Sequence, residues 1–190
     1  EADADALLEA SRSRLDQFLL HGVTTVEAKS GYGLTLEDEL KQLEVARRLH
    51  QSHPVDVVST FMGAHAVPLE YKDDPDRFVD EVVSVMIPEV ARRELAEFND
   101  VFCEQGVFTP EQARKILLAG KEHGLWPKIH ADEIEPYGGA ELAAEVGAIS
   151  ADHLLRASDE GLRRMAERGV IGVLLPGTAF FLMTQAADAR

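Results

Sequence analysis

The feature that most constrains the fold of this chain is an alternation of short apolar runs and amphipathic stretches, repeated about six times with short connections. The apolar runs have the length and β-branched content of strands, and they lie at residues 23–28, 55–61, 101–104, 127–130, 149–153 and 170–175. The stretches between them have helical periodicity, and capping residues such as Thr35, Thr109 and Ser158 begin several of them. Strands linked by helices pair in parallel through right-handed crossovers. The pattern therefore predicts an α/β fold with a parallel sheet.

Two architectures satisfy this alternation, an open doubly wound sheet and a (β/α)₈ barrel. No Gly-x-Gly-x-x-Gly pattern follows the first predicted strand, which weakens the dinucleotide-binding version of the open sheet. A complete barrel needs about eight units and about 250 residues, whereas this chain has 190. We predict a partial (β/α)₈ TIM barrel of about six consecutive parallel strand–helix units.

The alternation is irregular in three places. The chain opens within an acidic helical segment at residues 1–20, with no strand before it, and stops within a helix-like segment at residues 186–190. Both ends therefore look cut, and we expect a piece of a longer protein. Inside the chain, Pro88 either interrupts a helix or starts a second one that runs to residue 98.

The composition is that of a soluble globular protein, with 45% hydrophobic and 28% charged residues. A net charge of −15 argues against a nucleic-acid groove or an anionic membrane surface, since both need clustered Lys and Arg. Cys103 is the only cysteine, so no internal disulfide can form, which fits the reducing cytoplasm. The sequence has no signal peptide and no apolar run near the length of a membrane span. We expect a cytoplasmic protein that binds neither nucleic acid nor membranes.

Polar residues follow the predicted strands at or just beyond their carboxyl ends. In chain order they are Tyr32, His65, Glu104, His130 with Glu133, Asp152 with His153, and Thr178. In a parallel barrel these ends converge on one mouth, where barrel enzymes place their chemistry. Three histidines on three different strand ends, His65, His130 and His153, are therefore expected to share a site.

The remaining candidate residues have simpler explanations. Four histidines fall at helix carboxyl termini or in the loops that follow, where the helix dipole favours them; they are His21, His50, His53 and His123. Cys103 has apolar neighbours that predict a buried thiol and argue against a nucleophile. Glu104 could be a site residue or a strut between strands, and the strut is favoured. Asp152 either orients His153 or bonds a neighbouring backbone, and the sequence leaves both open.

The residue types at the strand ends indicate metal-assisted hydrolysis. A divalent metal held by imidazoles and a carboxylate keeps a position for water and lowers the pKa of that water towards neutrality. A nearby Glu or His can then move the proton between the water and the leaving group.

The same segments resemble the imidazolonepropionase family of the amidohydrolase superfamily of metal-dependent hydrolases. The matching segments are EAKSGYGL at residues 27–34, FMGAHA at 61–66, FCE at 102–104, HADE at 130–133, SADHL at 150–154 and LPGT at 175–178. Each is short, but six of them follow the family's order over nearly the whole chain, which makes the resemblance specific.

The resemblance implies a (β/α)₈ barrel with a small β-sandwich built from both chain ends. It implies hydrolysis of the cyclic C–N bond of 4-imidazolone-5-propanoate, giving N-formimidoyl-L-glutamate in histidine degradation. The implied metal is zinc or iron, and His130 matches one of its ligands. Glu133 matches the glutamate that contacts substrate and water, and His153 matches the histidine that positions or activates that water. Tyr32 and His65 match substrate-contacting positions.

Two parts of the family's metal site have no counterpart in these residues. No His-x-His pair, which the family carries on its first barrel strand, occurs in the sequence. The aspartate ligand of the last strand would lie beyond Arg190. Residues 1–190 are thus expected to be the central part of the barrel, without its first strand, its last strand and the small β-sandwich.

This expectation limits what the chain can do alone. It would hold one of four metal ligands, whereas a catalytic zinc usually needs three protein ligands. We therefore expect the isolated chain to be catalytically inert and metal-free. Its unpaired strand edges also predict self-association into a homo-oligomer.

Two alternatives to the imidazolone hydrolase remain open. One is another amidohydrolase that acts on a cyclic amide or a heterocyclic amine, although Tyr32 and His65 favour an imidazolone. The other is a non-catalytic barrel that binds a ligand, which predicts no metal and no turnover in the full-length protein.

Overall fold

The computed structural model describes residues 2–187 and residue 189. The strands are β1 (Thr25–Lys29), β2 (Asp56–Ala64), β3 (Phe98–Cys103), β4 (Trp126–Ala131), β5 (Ser150–His153) and β6 (Ile171–Val173). The helices are α1 (Ala4–Leu20), α2 (Leu36–Ser52), α3 (Pro75–Glu81), α4 (Ile87–Arg92), α5 (Pro110–Glu122), α6 (Gly139–Val146), α7 (Asp159–Arg168) and α8 (Pro176–Phe181). A 3₁₀ turn at Leu69–Tyr71 precedes α3, and a π-helical turn at Val82–Met86 joins α3 to α4.

Local sequence signals account for the helix boundaries that were predicted correctly. Thr109 and Gln112 form a reciprocal capping box at the start of α5, with Pro110 in its first turn. The side chains of Thr35 and Ser158 accept a backbone hydrogen bond at the starts of α2 and α7. These caps satisfy amide groups that the helix itself cannot bond.

All six strands pair in parallel, in the order β1-β2-β3-β4-β5-β6. A doubly wound sheet reverses its strand order at a switch point, and this sheet does not. The sheet also curls. The evidence is that Nζ of Lys29 on β1 lies only 3.1 Å from Oδ2 of Asp152 on β5. Four strand spacings of about 4.8 Å would hold these residues about 19 Å apart in a flat sheet. The prediction of a partial (β/α)₈ barrel is therefore confirmed.

The two faces of the curled sheet differ in chemistry, because alternate residues of a strand point to opposite sides. The outer face packs on the helices in a core that includes Val101, Cys103, Ile129, Ala131, Ile116 of α5 and Ala143 of α6. Charged side chains of the inner face bond to one another across the barrel, among them Glu27, Lys29, Asp100 and Lys128. Cys103 is buried in the outer core, as predicted, and burial raises its pKa to about 12.

Several predicted boundaries were wrong. The helix that contains Pro88 ends at Arg92 and does not run to residue 98. Glu94 adopts a left-handed φ of 53°, and the amide of Leu95 bonds back to the carbonyl of Val90, which closes that helix. Strand β3 therefore begins at residue 98, three residues before the predicted start.

The carboxyl-terminal segment also differs from expectation. Helix α8 was not predicted, although Pro176 lies in its first turn, a favourable place for proline. Ala186 and Ala187 belong to no helix. Residues Glu1, Asp188 and Arg190, which complete the two predicted terminal helical segments, lie outside the described residues. None of the helices in the described part of the chain is long and apolar enough to cross a membrane.

Candidate active site

Four strands place the five predicted site residues at one edge of the sheet. Tyr32 lies in the loop after β1, and His65 directly follows β2. His130 is the penultimate residue of β4, and Glu133 lies two residues beyond the end of that strand. His153 is the last residue of β5. Because the strands are parallel, all five positions lie at the carboxyl-terminal mouth of the barrel.

The side chains of these residues form a continuous series of contacts. The rings of Tyr32 and His65 are 4.4 Å apart between centroids, and those of His65 and His130 are 6.3 Å apart. The ring of His130 lies 5.2 Å from that of His153. Oε1 of Glu133 lies 3.3 Å from Nδ1 of His153. The structure thus brings all five together, whereas Thr178 lies within α8 and not at the end of a strand.

Asp100, in the middle of β3, fixes the orientation of His130. It is fully buried, and its Oδ1 atom lies 3.1 Å from Nδ1 of His130. Burial alone would raise the pKa of Asp100, but His130 and Lys29 outweigh it and hold that pKa well below its usual value. An ionised carboxylate only accepts hydrogen bonds, so Nδ1 of His130 is the donor. Nε2 is then the ring nitrogen that remains available to a ligand.

Lys29 joins Asp100 to a second buried carboxylate. Its Nζ lies 2.6 Å from Oδ2 of Asp100, 3.1 Å from Oδ2 of Asp152 and 3.0 Å from Oε1 of Glu27. Burial alone would lower the pKa of Lys29, but Asp100 and Asp152 raise it above its usual value. The ammonium group therefore stays charged and compensates the two aspartates.

The pKa values of the titrating groups at the mouth are shifted by burial and by the charges of neighbouring groups. Burial and the neighbouring His130 lower the pKa of His153 to about 4. Burial and His130 also lower the pKa of His65. Burial raises the pKa of Glu133, and nearby Glu104 adds to the increase, although His130 acts to lower it. For His130 itself, burial acts to lower the pKa, but Asp100 raises it by more.

Comparison with known proteins identifies relatives of this chain. No protein-family model matches the chain. The imidazolonepropionase of Geobacillus thermodenitrificans is 80% identical over 190 residues, and that of Clostridium tetani is 56% identical over 190 residues. Each alignment covers all of this chain and 45% of the relative. Over its whole length, therefore, the chain is similar to imidazolonepropionases. It spans less than half the length of these curated relatives.

Solved structures agree with the fold of this chain. An adenine deaminase from Arthrobacter aurescens superposes with a TM-score of 0.69 at 15% identity, covering 97% of this chain and 57% of that one. A guanine deaminase from C. acetobutylicum gives a TM-score of 0.64 at 13% identity, covering 97% of this chain and 47% of that one. At such identities the likeness is one of fold alone.

Among the described residues, the candidate site contains one group of side chains that could hold a cation. Asp100, His130 and Asp152 each offer one ligand atom, and these atoms lie within 4.8 Å of one another. Oδ1 of Asp152 is buried and has no hydrogen-bond partner among the described residues. Lys29, however, already places its ammonium group against both carboxylates. A metal bound between the aspartates would have to displace this charge, so Nε2 of His130 is the better placed donor.

Backbone strain and close packing also mark this site. Asp132, His153 and Leu154 have positive φ angles of 50°, 76° and 57°, which non-glycine residues rarely adopt. Gly31 has a φ of 127°, and a Cβ atom there would lie 2.9 Å from Cβ of His65. The glycine therefore lets the loop that holds Tyr32 approach His65.

Sequence reasoning missed Asp100 and Lys29 as parts of the site. Both lie within strands and not beyond their ends, and their contact joins positions 71 residues apart. A usable signal was the pair Asn99-Asp100 in an otherwise apolar strand, since buried polar groups need partners.

The four histidines expected to lie outside the site are bonded near helix carboxyl termini. His21 caps α1 with its backbone, and Nδ1 of His50 accepts a hydrogen bond from the amide of Val57. Nε2 of His53 lies 3.2 Å from a carboxylate oxygen of Asp16, and Nδ1 of His123 lies 3.0 Å from the carbonyl of Ala119.

Proposed function

We propose that the intact protein containing this chain hydrolyses the cyclic C–N bond of 4-imidazolone-5-propanoate to give N-formimidoyl-L-glutamate. The observation that supports this most is the convergence of His130, Glu133 and His153 at one barrel mouth, in a chain up to 80% identical to imidazolonepropionases. Because the chain spans 45% of those relatives, the activity is proposed for the whole protein.

The reaction needs one proton to move between two sites. The oxygen of water bonds to the ring carbonyl carbon, the bond from that carbon to the ring nitrogen breaks, and the nitrogen receives a proton. We assign the transfer to Glu133, which would take the proton from water and deliver it to the leaving nitrogen. Its partial burial supports this role, because burial raises the pKa of Glu133 above its ordinary value and makes the carboxylate a stronger proton acceptor.

His153 lies where it could position the attacking water. Its ring contacts His130 on one side, and its Nδ1 lies 3.3 Å from the Glu133 carboxylate on the other. A water bound beside this pair would therefore be close to the group that takes its proton.

Tyr32 and His65 are assigned to the substrate. Tyr32 is 77% exposed at the mouth, so most of its surface can meet an incoming molecule while its ring contacts His65. Nδ1 of His65 is buried and has no hydrogen-bond partner among the described residues. A polar group of the substrate would satisfy that nitrogen, which is otherwise costly to leave unpaired.

A zinc or iron ion is the proposed cofactor, and when bound it would supply Lewis acidity and lower the pKa of a coordinated water. His130 is the residue of this chain that would hold it, through Nε2. The donor chemistry fits, because Asp100 bonds the other ring nitrogen, as carboxylates commonly do behind metal-binding histidines. A single free imidazole is a weak site by itself. We therefore propose that residues 1–190 alone are catalytically inert and retain no metal.

The remaining proposals concern the substrate class, the cellular location and the oligomeric state. The substrate is a small molecule, and the single buried cysteine is compatible with a cytoplasmic location. Strands β1 and β6 form the two edges of the sheet, so the isolated chain is expected to pair with a second copy. Sedimentation velocity should then show a dimer or larger species, and a monomer at all concentrations would contradict this expectation.

The test is a substrate panel applied to the intact, metal-loaded protein. The panel contains 4-imidazolone-5-propanoate, a five-membered cyclic imide and guanine, with products identified by chromatography. We expect N-formimidoyl-L-glutamate from the first compound and turnover of the other two at least about 100-fold slower, because their polar groups leave site groups unpaired. Preferred turnover of the imide or of guanine would indicate another amidohydrolase. Saturable binding without any turnover would indicate a ligand-binding barrel.

A further inference from the structure

The backbone amides of the loop between β4 and α6, and of the first residues of α6, donate hydrogen bonds to two buried carboxylates. Oε2 of Glu104 accepts hydrogen bonds from the amides of Glu133 at 3.1 Å and Ile134 at 2.9 Å, and Oε1 accepts from Glu135 at 3.2 Å. Asp132 accepts from the next four amides, those of Tyr137, Gly138, Gly139 and Ala140, at 2.7, 2.9, 3.2 and 2.8 Å. Between residues 133 and 140 only Pro136, which has no N–H group, does not take part. The whole loop is thus bonded to these two side chains.

The burial of these carboxylates shows how completely the loop surrounds them. Glu104 and Asp132 are each 1% exposed. Among the described residues, neither forms an ion pair with a lysine or arginine, so backbone amide dipoles compensate their charge. A buried carboxylate without such donors would be strongly destabilised. The loop and the carboxylates therefore depend on each other.

The loop bonded in this way carries Glu133. Glu104 follows directly after β3, so its bonds tie the loop to a neighbouring strand of the barrel. Asp132 adopts a left-handed φ of 50°, a conformation that the four amide bonds to its own side chain hold in place. Both contacts act on the backbone next to Glu133, whose carboxylate lies 3.3 Å from His153.

A second loop at the barrel mouth has the same construction. Oε1 of Glu39, on α2, accepts hydrogen bonds from the amides of Gly31 at 3.2 Å, Gly33 at 2.7 Å and Leu34 at 3.2 Å. Glu39 is fully buried, and this loop carries Tyr32. Buried carboxylates that accept several backbone amide bonds therefore occur beneath two loops at the mouth, the one that carries Glu133 and the one that carries Tyr32.

We propose that Glu104 and Asp132 are positioning residues, which fix the loop between β4 and α6 and thereby hold the Glu133 carboxylate against His153. The inference rests on the proposed function only for the consequence, because the role of Glu133 in proton transfer is what makes its position matter. The fixed loop itself follows from the contacts.

Glu104→Gln in the intact protein tests the proposal. Glutamine has nearly the same shape, but its NH₂ group would face amide donors at one of the two former oxygen positions, so bonds to the loop are lost. We expect hydrogen exchange at amides 133–135 to become about 10- to 100-fold faster. Exchange at amides 31–34 should stay unchanged. The value of kcat should fall by about 10- to 100-fold with KM within about twofold, because a misplaced catalytic group slows the chemical step.

Three further variants separate positioning from a general loss of stability. Glu39→Gln should loosen amides 31–34 and leave 133–135 protected. Asp132→Asn should make hydrogen exchange at amides 137–140 faster. It takes the place of Glu104→Gln if Glu104→Gln does not fold. Glu145→Gln, at an exposed ion pair between α6 and Arg114, should change neither exchange nor kcat.

The outcomes distinguish this inference from the proposed function. Unchanged protection of amides 133–135 in Glu104→Gln, or an equal loss of protection throughout the chain, overturns the positioning role whatever the turnover. Selective loss of protection with a normal kcat supports the positioning role, and it counts instead against proton transfer by Glu133.

Discussion

Nδ1 of His130 lies 3.1 Å from Oδ1 of Asp100, and this contact determines which nitrogen of His130 can meet a ligand. Nζ of Lys29 donates a 2.6 Å hydrogen bond to Oδ2, the other oxygen of the same carboxylate, and keeps Asp100 in place. The arrangement leaves Nε2 available at the barrel mouth. Asp100 therefore contributes to the candidate site although it does not reach the mouth itself.

Replacing Asp100 with asparagine should weaken metal binding by the intact protein. An amide can bond the imidazole in either tautomer, so His130 would no longer be held with Nε2 free. Loss of such a supporting carboxylate typically lowers metal affinity by about 10- to 100-fold. Chelator competition measures this change without reference to turnover. Asp56→Asn, at the exposed start of β2, is the matched control and should bind metal normally. An unchanged affinity in Asp100→Asn would show that Asp100 does not support the ligand.

Replacing Gly31 with alanine should disturb substrate binding through His65. The new Cβ would lie 2.8 Å from the carbonyl oxygen of Met62 and 2.9 Å from Cβ of His65, so the loop or the histidine must move. We expect KM to rise by about tenfold, with a smaller change in kcat, since a displaced substrate contact weakens binding. Gly22→Ala is the control, because Gly22 also has a positive φ but has no atom within 4 Å of the added Cβ. Equal KM values in both variants would exclude this effect of Gly31.

The free energy of unfolding of the chain should decrease as the pH is lowered and Glu27 becomes protonated. Glu27 accepts a hydrogen bond from Lys128 at 2.6 Å. Burial alone would raise its pKa, but Lys128 and Lys29 outweigh burial and lower it below the ordinary value of 4.5. A lowered folded-state pKa stabilises the fold fully above pH 4.5, and this stabilisation is lost as the pH falls through the folded-state pKa.

Glu27→Gln tests this dependence. The variant should lower the free energy of unfolding by about 1 kcal/mol at pH 7, because it removes the charged partner of Lys128 and Lys29 at a position that keeps some contact with solvent. The difference from the unmodified chain should shrink below pH 4.5. Urea denaturation at several pH values measures both quantities, with the exposed Glu122→Gln as control. A constant difference down to pH 3 would contradict the assignment.

The boundaries of this fold could be predicted where short-range chemistry determines them. Thr109 and Pro110 specify the start of α5 through a capping box that lies within four residues. The end of α4 could not be read in the same way, because it depends on a left-handed conformation at Glu94 for which the sequence supplies no glycine.

The candidate site divides in the same manner. Residues at strand ends, such as His130 and His153, could be found because the topology alone brings strand ends together. Asp100 and Lys29 could not, since their contact depends on how far the sheet curls. Glu104 was read as a strut between strands, and the structure shows its carboxylate bonded to the loop after β4.

Residues 1–190 in isolation should show neither turnover nor bound metal. Among the described residues, His130 offers one free imidazole nitrogen, and the two nearby aspartates are already paired with Lys29. After incubation with zinc or iron and dialysis, elemental analysis should find less than about one tenth of an equivalent, because a single ligand binds these ions weakly. Hydrolysis of 4-imidazolone-5-propanoate at the rate of the intact protein would overturn this prediction.

The most direct measurement is the kcat of Glu133→Gln in the intact protein with 4-imidazolone-5-propanoate, compared with that of Glu135→Gln. Both residues lie in the same loop, but only the Glu133 carboxylate contacts His153, and Glu135 is exposed. We predict that kcat falls by about 10²- to 10⁴-fold in Glu133→Gln, as expected for the loss of a general acid–base group. Glu135→Gln should keep its kcat. A Glu133→Gln enzyme with a kcat within about twofold of the unmodified protein would contradict the assignment of proton transfer to Glu133.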